Sequence, residues 1–371
     1  MPSNTAAWLG AKQAQLEVKP APYTPPRDSE IVVKNHAVAV NPIDWILQAV
    51  GSLIFPWIKY PFILGSDLAG EIVEVGNAVT RFQVGDRVLG HAVGSAKTRN
   101  SAAEGAFQEY TVVLAHMAAP IPDAMPYENA AVLPLALSTA ACGLFQKDHL
   151  ALQSPSLAPK PTGKTLLVWG GSTSVGSNAI QLAVAAGYEV FTTSSPRNFD
   201  YVKRLGASQV FDYNSKTVVA DIIAALTGKT MAGALAIGTG SAEFCVDIVH
   251  ACNGTKFVST ASTPVSFDTL SPHPGMGAVL PLLLRVVSSS ASLQVKCRAR
   301  NIRTKFIVGD ALIDNEVSRV IYEDFLPGAL AEDRYVAAPE PYLIGMGLDC
   351  VQAGLDIQKK GVSAKKVVVS L

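Results

Sequence analysis

The sequence predicts an α/β protein in which a β-rich, barrel-like part precedes a doubly wound parallel sheet. Three observations predict it. Short apolar or alternating runs separated by glycine turns fill the first third of the chain. From Lys164 onward, strand-like and helix-like runs alternate, the order that lays strands parallel and puts helices on both faces. The chain is 371 residues long, 49% hydrophobic and only 16% charged, enough to bury two cores and too apolar for extended disorder.

In order, residues 30–40 and 69–75 alternate or run apolar, the second ending at the turn Gly76-Asn77. Val84-Gly85-Asp86-Arg87-Val88 is a turn entering another strand, and residues 107–113 form a further one. Residues 129–145, rich in Ala and Leu, predict a helix kinked at Pro134, and the polar, proline-rich stretch 150–163 a surface loop. An apolar strand at 165–169 leads through a Gly/Ser turn into a helix at 175–186, capped by Gly187, and then a strand at 189–193. Ser195 is an N-cap with Pro196 at the first helical position, and Gly206 ends that helix. Strands at 210–213, 235–237 and 256–259 alternate with helices at 217–226 and 242–251, and the strand at 256–259 closes the series. Residues 264–294 show no clean period. The strand at 366–371 has no place in the parallel sheet and is expected to return to the first domain. The expected domains are 1–127 with 306–371, and 128–305.

Composition excludes several function classes. Lys plus Arg and Asp plus Glu number 30 each, with no basic stripe, so nucleic acid has nothing to grip. Residues 1–12 lack a cationic segment followed by an apolar run. The apolar stretch 49–64 is broken by Pro56, Lys59 and Pro61, and 277–287 is too short to span a bilayer. A soluble, cytoplasmic protein without membrane contact is expected. The cysteines Cys142, Cys245, Cys252, Cys297 and Cys350 are odd in number, widely spaced and set among apolar neighbours. They predict buried thiols, and with no CxxC pair, no structural zinc.

Gly170-Gly171-Ser172-Thr173-Ser174-Val175-Gly176 lies between a buried strand and an apolar helix. Such a turn lets the helix N-terminus offer its N–H groups to a pyrophosphate. The fingerprint Gly-x-Gly-x-x-Gly fits with Gly171 first and Gly176 last, Thr173 replacing the middle glycine. Hydroxyl donors from Ser172, Thr173 and Ser174 are the expected compensation. NAD sites place a carboxylate at the end of the next strand, roughly twenty residues on. Here stand Ser194, Ser195 and Arg197, which favour the 2′-phosphate of NADPH over NADH.

Beyond that loop, Asn41-Pro42-Ile43-Asp44, the run from Gly65-Ser66-Asp67 to Val75-Gly76, and Val84 to Val88 resemble the GroES-like half of medium-chain dehydrogenases/reductases. Leu133-Pro134, Ser138-Thr139-Ala140, the nucleotide loop and Leu205-Gly206-Ala207 continue the resemblance over nearly the whole chain. It implies a GroES-like catalytic domain built from both chain ends, with a Rossmann domain inserted. In the zinc alcohol dehydrogenases of this superfamily, the metal ligands fall at positions held here by Asn41, Ser66 and about Leu135, and the proton relay at Ile43. Residues 91–105 lack the four cysteines of their structural lobe. The closer resemblance is therefore to the zinc-free quinone and enoyl reductases, including fungal ToxD-like and trans-acting enoyl reductases. A lysine two residues after the first-motif Asp in such enoyl reductases is Ile46 here, which weakens the case for a polyketide synthase partner.

The resemblance implies hydride transfer from NADPH to an activated C=C bond or a quinone, with no metal. It makes Asn41, Asp44 and Thr139 the catalytic candidates. It implies cofactor contacts at Pro42, Thr139, Gly171, Ser172, Thr173, Ser174, Val175, Ser194, Ser195, Arg197, Tyr213, Gly238 and Thr260, and along the backbone of Phe306-Ile307-Val308. Lys365 or Lys366 is a lesser candidate, and His91 an alternative acid. Trp45, Phe55, Trp57, Ile58 and Phe62 suit either a flat apolar substrate or ordinary core packing. An acyl-carrier or polyketide synthase partner, a non-catalytic NADPH-binding role, and a monomer or homodimer all stay open.

Overall fold

The computed structural model describes residues 2–271 and 273–371. Its strands are β1 (Asn4–Leu9), β2 (Leu16–Ala21), β3 (Glu30–Val40), β4 (Phe62–Ile63), β5 (Asp67–Val75), β6 (Arg87–His91), β7 (Tyr110–Leu114) and β8 (Ala118–Pro120). There follow β9 (Lys164–Trp169), β10 (Glu189–Ser194), β11 (Gln209–Asp212), β12 (Thr230–Ala236), β13 (Phe257–Thr260) and β14 (Arg303–Phe306), and last β15 (Glu340–Met346) and β16 (Lys365–Ser370).

The chain divides into two compact units. One comprises residues 1–135, 268–275 and 322–371, and the other residues 136–267 and 276–321. The breaks fall after residues 135 and 321, beyond the expected 127 and 305, and residues 268–275 join the first unit.

In the first unit β3 is the central strand. One edge pairs with β5, while the other pairs with β7 along its first half and β16 along its second. Ile31, Val32, Val33 and Ala37 to Val40 are all at most 1% exposed, so the strand is apolar on both faces rather than alternating. The antiparallel register Val367 to Val40 and Ser370 to Ala37 returns the C-terminal strand to this domain, as expected. Directly after β3, Asn41 caps the helix Pro42–Ile54, with Pro42 at its first position and Asp44 at its third. This helix carries no sequence expectation, since its start is hidden in a short polar motif.

The second unit is a six-stranded parallel sheet in the order β11-β10-β9-β12-β13-β14. The order reverses between β9 and β12, which makes the C-terminal ends of those strands the switch point where such sheets bind ligands. Leu166, Leu167 and Val168 are fully buried at its centre. The sixth strand, β14, escapes sequence reading because Arg303-Thr304-Lys305-Phe306 lies at the sheet edge and is largely exposed. Pro134 begins the helix Pro134–Phe145 rather than kinking a longer one, a position where its missing N–H costs nothing.

Residues 264–294, irregular by sequence, contain most of the 24-residue helix Met276–Ala299. Val279, Leu282 and Cys297 pack inward, while Met276, Leu280, Leu284, Val287 and Val295 are exposed. Two apolar stripes on one helix blur the 3.6-residue period. The shortness of 277–287 therefore excludes nothing. By length and composition, two helical stretches among the described residues suffice to cross a bilayer, the mostly buried Tyr127–Phe145 and the mostly exposed Met276–Ala299.

Candidate functional site

The nucleotide loop forms as expected, with one change in how it is held. A Cβ on Gly171 would collide with Thr192 Oγ1, and one on Gly176 with the Gly170 carbonyl. Both glycines therefore let the helix Ser174–Ala185 approach the sheet closely. Thr173 is the N-cap. Its Oγ1 donates to the Gly170 carbonyl at 2.8 Å and accepts from the Gly176 N–H at 3.0 Å. This hydroxyl, one of the three expected phosphate donors, is bonded within the loop. Ser172 and the first-turn residues Ser174 and Val175 remain to meet a pyrophosphate.

The other cofactor candidates of this unit lie at the C-terminal ends of the parallel strands. At the end of β10, Ser194 is fully buried and its Oγ donates to the Ser195 carbonyl at 3.1 Å. Ser195 Oγ accepts from Asn198 Nδ2 at 3.3 Å. Arg197 is exposed and, among the described residues, in no ion pair. Tyr213, just past β11, is 45% exposed. Gly238 follows β12 at φ +104. Thr260 turns its hydroxyl to the Lys305 carbonyl at 3.2 Å. Phe306 and Val308 are exposed, but Ile307 is buried and its N–H is bound to the Thr260 carbonyl at 2.8 Å. Thr139 is half-buried in the helix Pro134–Phe145.

In the first unit the structure builds a buried polar cluster on Asn41. The Asn41 N–H donates to Asp44 Oδ2 at 2.7 Å, the helix-capping contact. Asn41 Nδ2 donates to Asp67 Oδ2 at 2.8 Å, and Lys366 Nζ lies 2.7 Å from that same oxygen. Lys366 Nζ also donates to Asn41 Oδ1, which closes a triangle of three side chains. The Leu135 N–H donates to Asp67 Oδ1 at 2.6 Å. Asn41, Asp44, Asp67 and Lys366 are each at most 4% exposed. Pro42 starts the helix beside them.

Burial sets the protonation behaviour here. Asp44 is pushed up to about 7, chiefly by loss of water, with the Asp67 carboxylate adding to the rise and the Asn41 N–H and Lys366 opposing it. His91 pairs across the ladder with Asp67 and is pushed down to about 4, chiefly by burial. It is a neutral imidazole at neutral pH and holds no imidazolium proton to give as an acid.

Lys366, a lesser candidate for cofactor contact by sequence, is a buried ion-pair partner of Asp67. The signal was present in part: Val367 to Val369 of β16 are apolar and buried, and a lysine leading directly into such a run requires a carboxylate. Lys365 is the exposed neighbour, 3.5 Å from Glu340. Of the aromatic group, Trp45, Ile58 and Phe62 are core, while Phe55 and Trp57 are half-exposed and pack edge to face.

Zinc does not fit these residues. Its site needs thiolate, imidazole or carboxylate donors converging on one point. Asn41, Ser66 and Leu135 supply none at the three expected positions, and Lys366 places an ammonium among them. The described residues contain no group of three or more His, Cys, Asp or Glu able to hold a metal ion. Cys142, Cys245, Cys252 and Cys297 are buried free thiols, and Cys350 is half-buried.

Residues 27–123 match the alcohol dehydrogenase GroES-like domain family, and residues 174–261 the zinc-binding dehydrogenase family. The chain is similar to the dehydrogenase pigH of Monascus ruber, 54% identical over the whole of both chains. It is 40% identical to the trans-enoyl reductase himH of Aspergillus japonicus, over 99% of this chain and 97% of that one. Among solved structures it resembles the CurK enoyl reductase, with a TM-score of 0.73 and 17% identity over 100% and 99% of the two chains.

Proposed function

The chain belongs to the medium-chain dehydrogenase/reductase superfamily, in its enoyl and quinone reductase branch, and on that premise we propose that it is a zinc-free NADPH-dependent reductase of activated C=C bonds or quinones. One observation carries the reading. A glycine loop of the dinucleotide-binding kind is present, with Thr173 at the middle glycine's place, while Asn41, Ser66 and about Leu135 stand where zinc relatives bind their metal. In the zinc relatives, alcohol oxidation uses the metal as a Lewis acid and a relay residue as the outlet for the hydroxyl proton, and this chain has neither residue set. Reducing an enone, enoyl thioester or quinone requires instead a hydrogen-bond donor where negative charge develops on oxygen.

When bound, the nicotinamide would supply the hydride. The chain's own residues do the rest. Gly171 and Gly176 permit the close loop, Ser172, Ser174 and Val175 receive the pyrophosphate, and Ser195 with Arg197 receives the 2′-phosphate. By family resemblance, Thr139 and the backbone at Phe306-Ile307-Val308 hold the carboxamide. Phe55 and Trp57 suit a flat apolar substrate. The likeness to a protein named a trans-enoyl reductase favours, as a second reading, an acyl chain carried by a partner.

The test follows NADPH oxidation, with NADH as control, against a quinone, an enone, an enoyl thioester and an aldehyde. Turnover of any of the first three, with NADPH preferred and chelator without effect, supports the reading. Turnover of the aldehyde alone, abolished by chelator, overturns it. NADPH binding with silence across the panel moves the weight to a carrier-bound substrate or a non-catalytic role.

A further inference from the structure

The triangle of Lys366, Asn41 and Asp67 leaves one polar proton uncommitted. A side-chain amide has one acceptor oxygen and two N–H donors. Asn41 Oδ1 is taken by the Lys366 ammonium, and one Nδ2–H by Asp67 Oδ2 at 2.8 Å. The flipped amide would set NH2 against ammonium and oxygen against carboxylate, so only one orientation is tolerable. The second Nδ2–H has no acceptor in the described chain. A cation on the amide oxygen also draws electron density from nitrogen, which makes that remaining N–H a stronger donor.

We propose that Lys366 is a positioning residue of the reductase: it orients and polarises the Asn41 carboxamide, whose free Nδ2–H receives the charge developing on the substrate oxygen. The inference rests on the reductase reading above, and it gives a chain without a Lewis acid a stand-in for one. Asp67 completes the device by holding the other half of the amide and balancing the lysine charge. The Leu135 N–H, at 2.6 Å, in turn holds the second Asp67 oxygen.

The experiment compares wild type with Lys366→Met, Lys366→Arg and the charge-neutral pair Asp67→Asn/Lys366→Met, reading kcat, KM for NADPH, thermal midpoint and the side-chain amide NMR signal of Asn41. Removing one preorganised donor to a developing oxyanion costs about 100-fold in kcat. Lys366→Met is therefore expected to lose about 100-fold in kcat with KM for NADPH little changed, and Lys366→Arg to recover much of it. The neutral pair is expected to recover the thermal midpoint but not kcat. If the pair recovers both, Lys366 only balances charge and the proposal is wrong. Should wild type turn over no free quinone, enone or enoyl thioester, the first reductase reading has failed on its own, and the catalytic part of this inference, which rests on it, goes with it. The Asn41 amide signal then decides the rest: it shifts in Lys366→Met if the lysine orients the amide, and an unchanged signal overturns that too.

Discussion

Thr192 Oγ1 occupies the place a Cβ on Gly171 would need. That hydroxyl is itself held, donating to the Val168 carbonyl at 2.7 Å across the sheet. Neither partner has room to give, so Gly171→Ala must push the loop away from β10. Overpacking of this kind costs about 1–3 kcal/mol. The expected result is a lower urea midpoint together with weaker NADPH binding by fluorescence titration. Weaker binding at unchanged stability would mean that the loop moves freely and that the strand–helix contact is not what Gly171 serves.

Arg197 is exposed and, among the described residues, in no ion pair, so its loss leaves no buried partner stranded. A hydrogen bond to a charged group contributes about 1.5–3 kcal/mol, equivalent to roughly 10–100-fold in binding. Arg197→Ala is expected to raise KM for NADPH by at least about 10-fold and to leave KM for NADH nearly unchanged. An equal rise for both cofactors would remove Arg197 from the 2′-phosphate.

What was legible in the sequence follows from how each element signals itself. The loop at Gly171 to Gly176 was legible because a glycine there answers a backbone constraint, and the inner strands β9, β12 and β13 because buried parallel strands are largely apolar runs. β14 was not, because an edge strand with Arg303 and Lys305 carries no apolar signal. Nor was the role of Thr173, since a threonine at that position serves as cap or as phosphate donor, and only the bonds to Gly170 and Gly176 tell which. The Asn41–Asp67–Lys366 triangle joins positions 26 and 325 residues apart from Asn41. No local pattern encodes such a meeting; only the pairing of β16 with β3 and of β3 with β5 creates it.

A second protein cation stands in the segment where zinc relatives carry their four-cysteine lobe. Arg99 Nε donates to Glu104 Oε2 at 2.7 Å and Arg99 Nη2 to Glu104 Oε1 at 2.9 Å, while Glu30 takes a third contact. The two carboxylate side chains are 4% and 3% exposed, so removing the guanidinium strands buried charge. Arg99→Met is expected to cost about 3–5 kcal/mol by denaturant unfolding. Adding Glu104→Gln should return part of that loss; no recovery would show that Arg99 acts through packing of its stem and not through the ion pair.

His91 and Asp44, both fully buried, impose opposite pH dependences on stability. His91 is pushed from 6.5 down to about 4 in the folded protein, so between those values the unfolded chain binds the extra proton and stability rises with pH. Asp44 is pushed from 3.8 up to about 7, so across that range the folded protein binds the extra proton and stability falls as pH rises. The two windows overlap between about 4 and 6.5, where the slopes offset one another. Single variants separate them. Asp44→Asn leaves the histidine contribution, and its stability relative to wild type should increase steadily from acid to neutral pH. His91→Gln leaves the carboxyl contribution, and its stability relative to wild type should decrease over most of the same range. Every other titrating group is common to the three proteins and cancels in these differences. Urea midpoints taken in steps from about pH 4.5 to 7.5 measure them directly. A flat difference curve would show that the group removed in that variant does not keep its folded protonation state, and a reversed slope would show that its shift has the opposite sign.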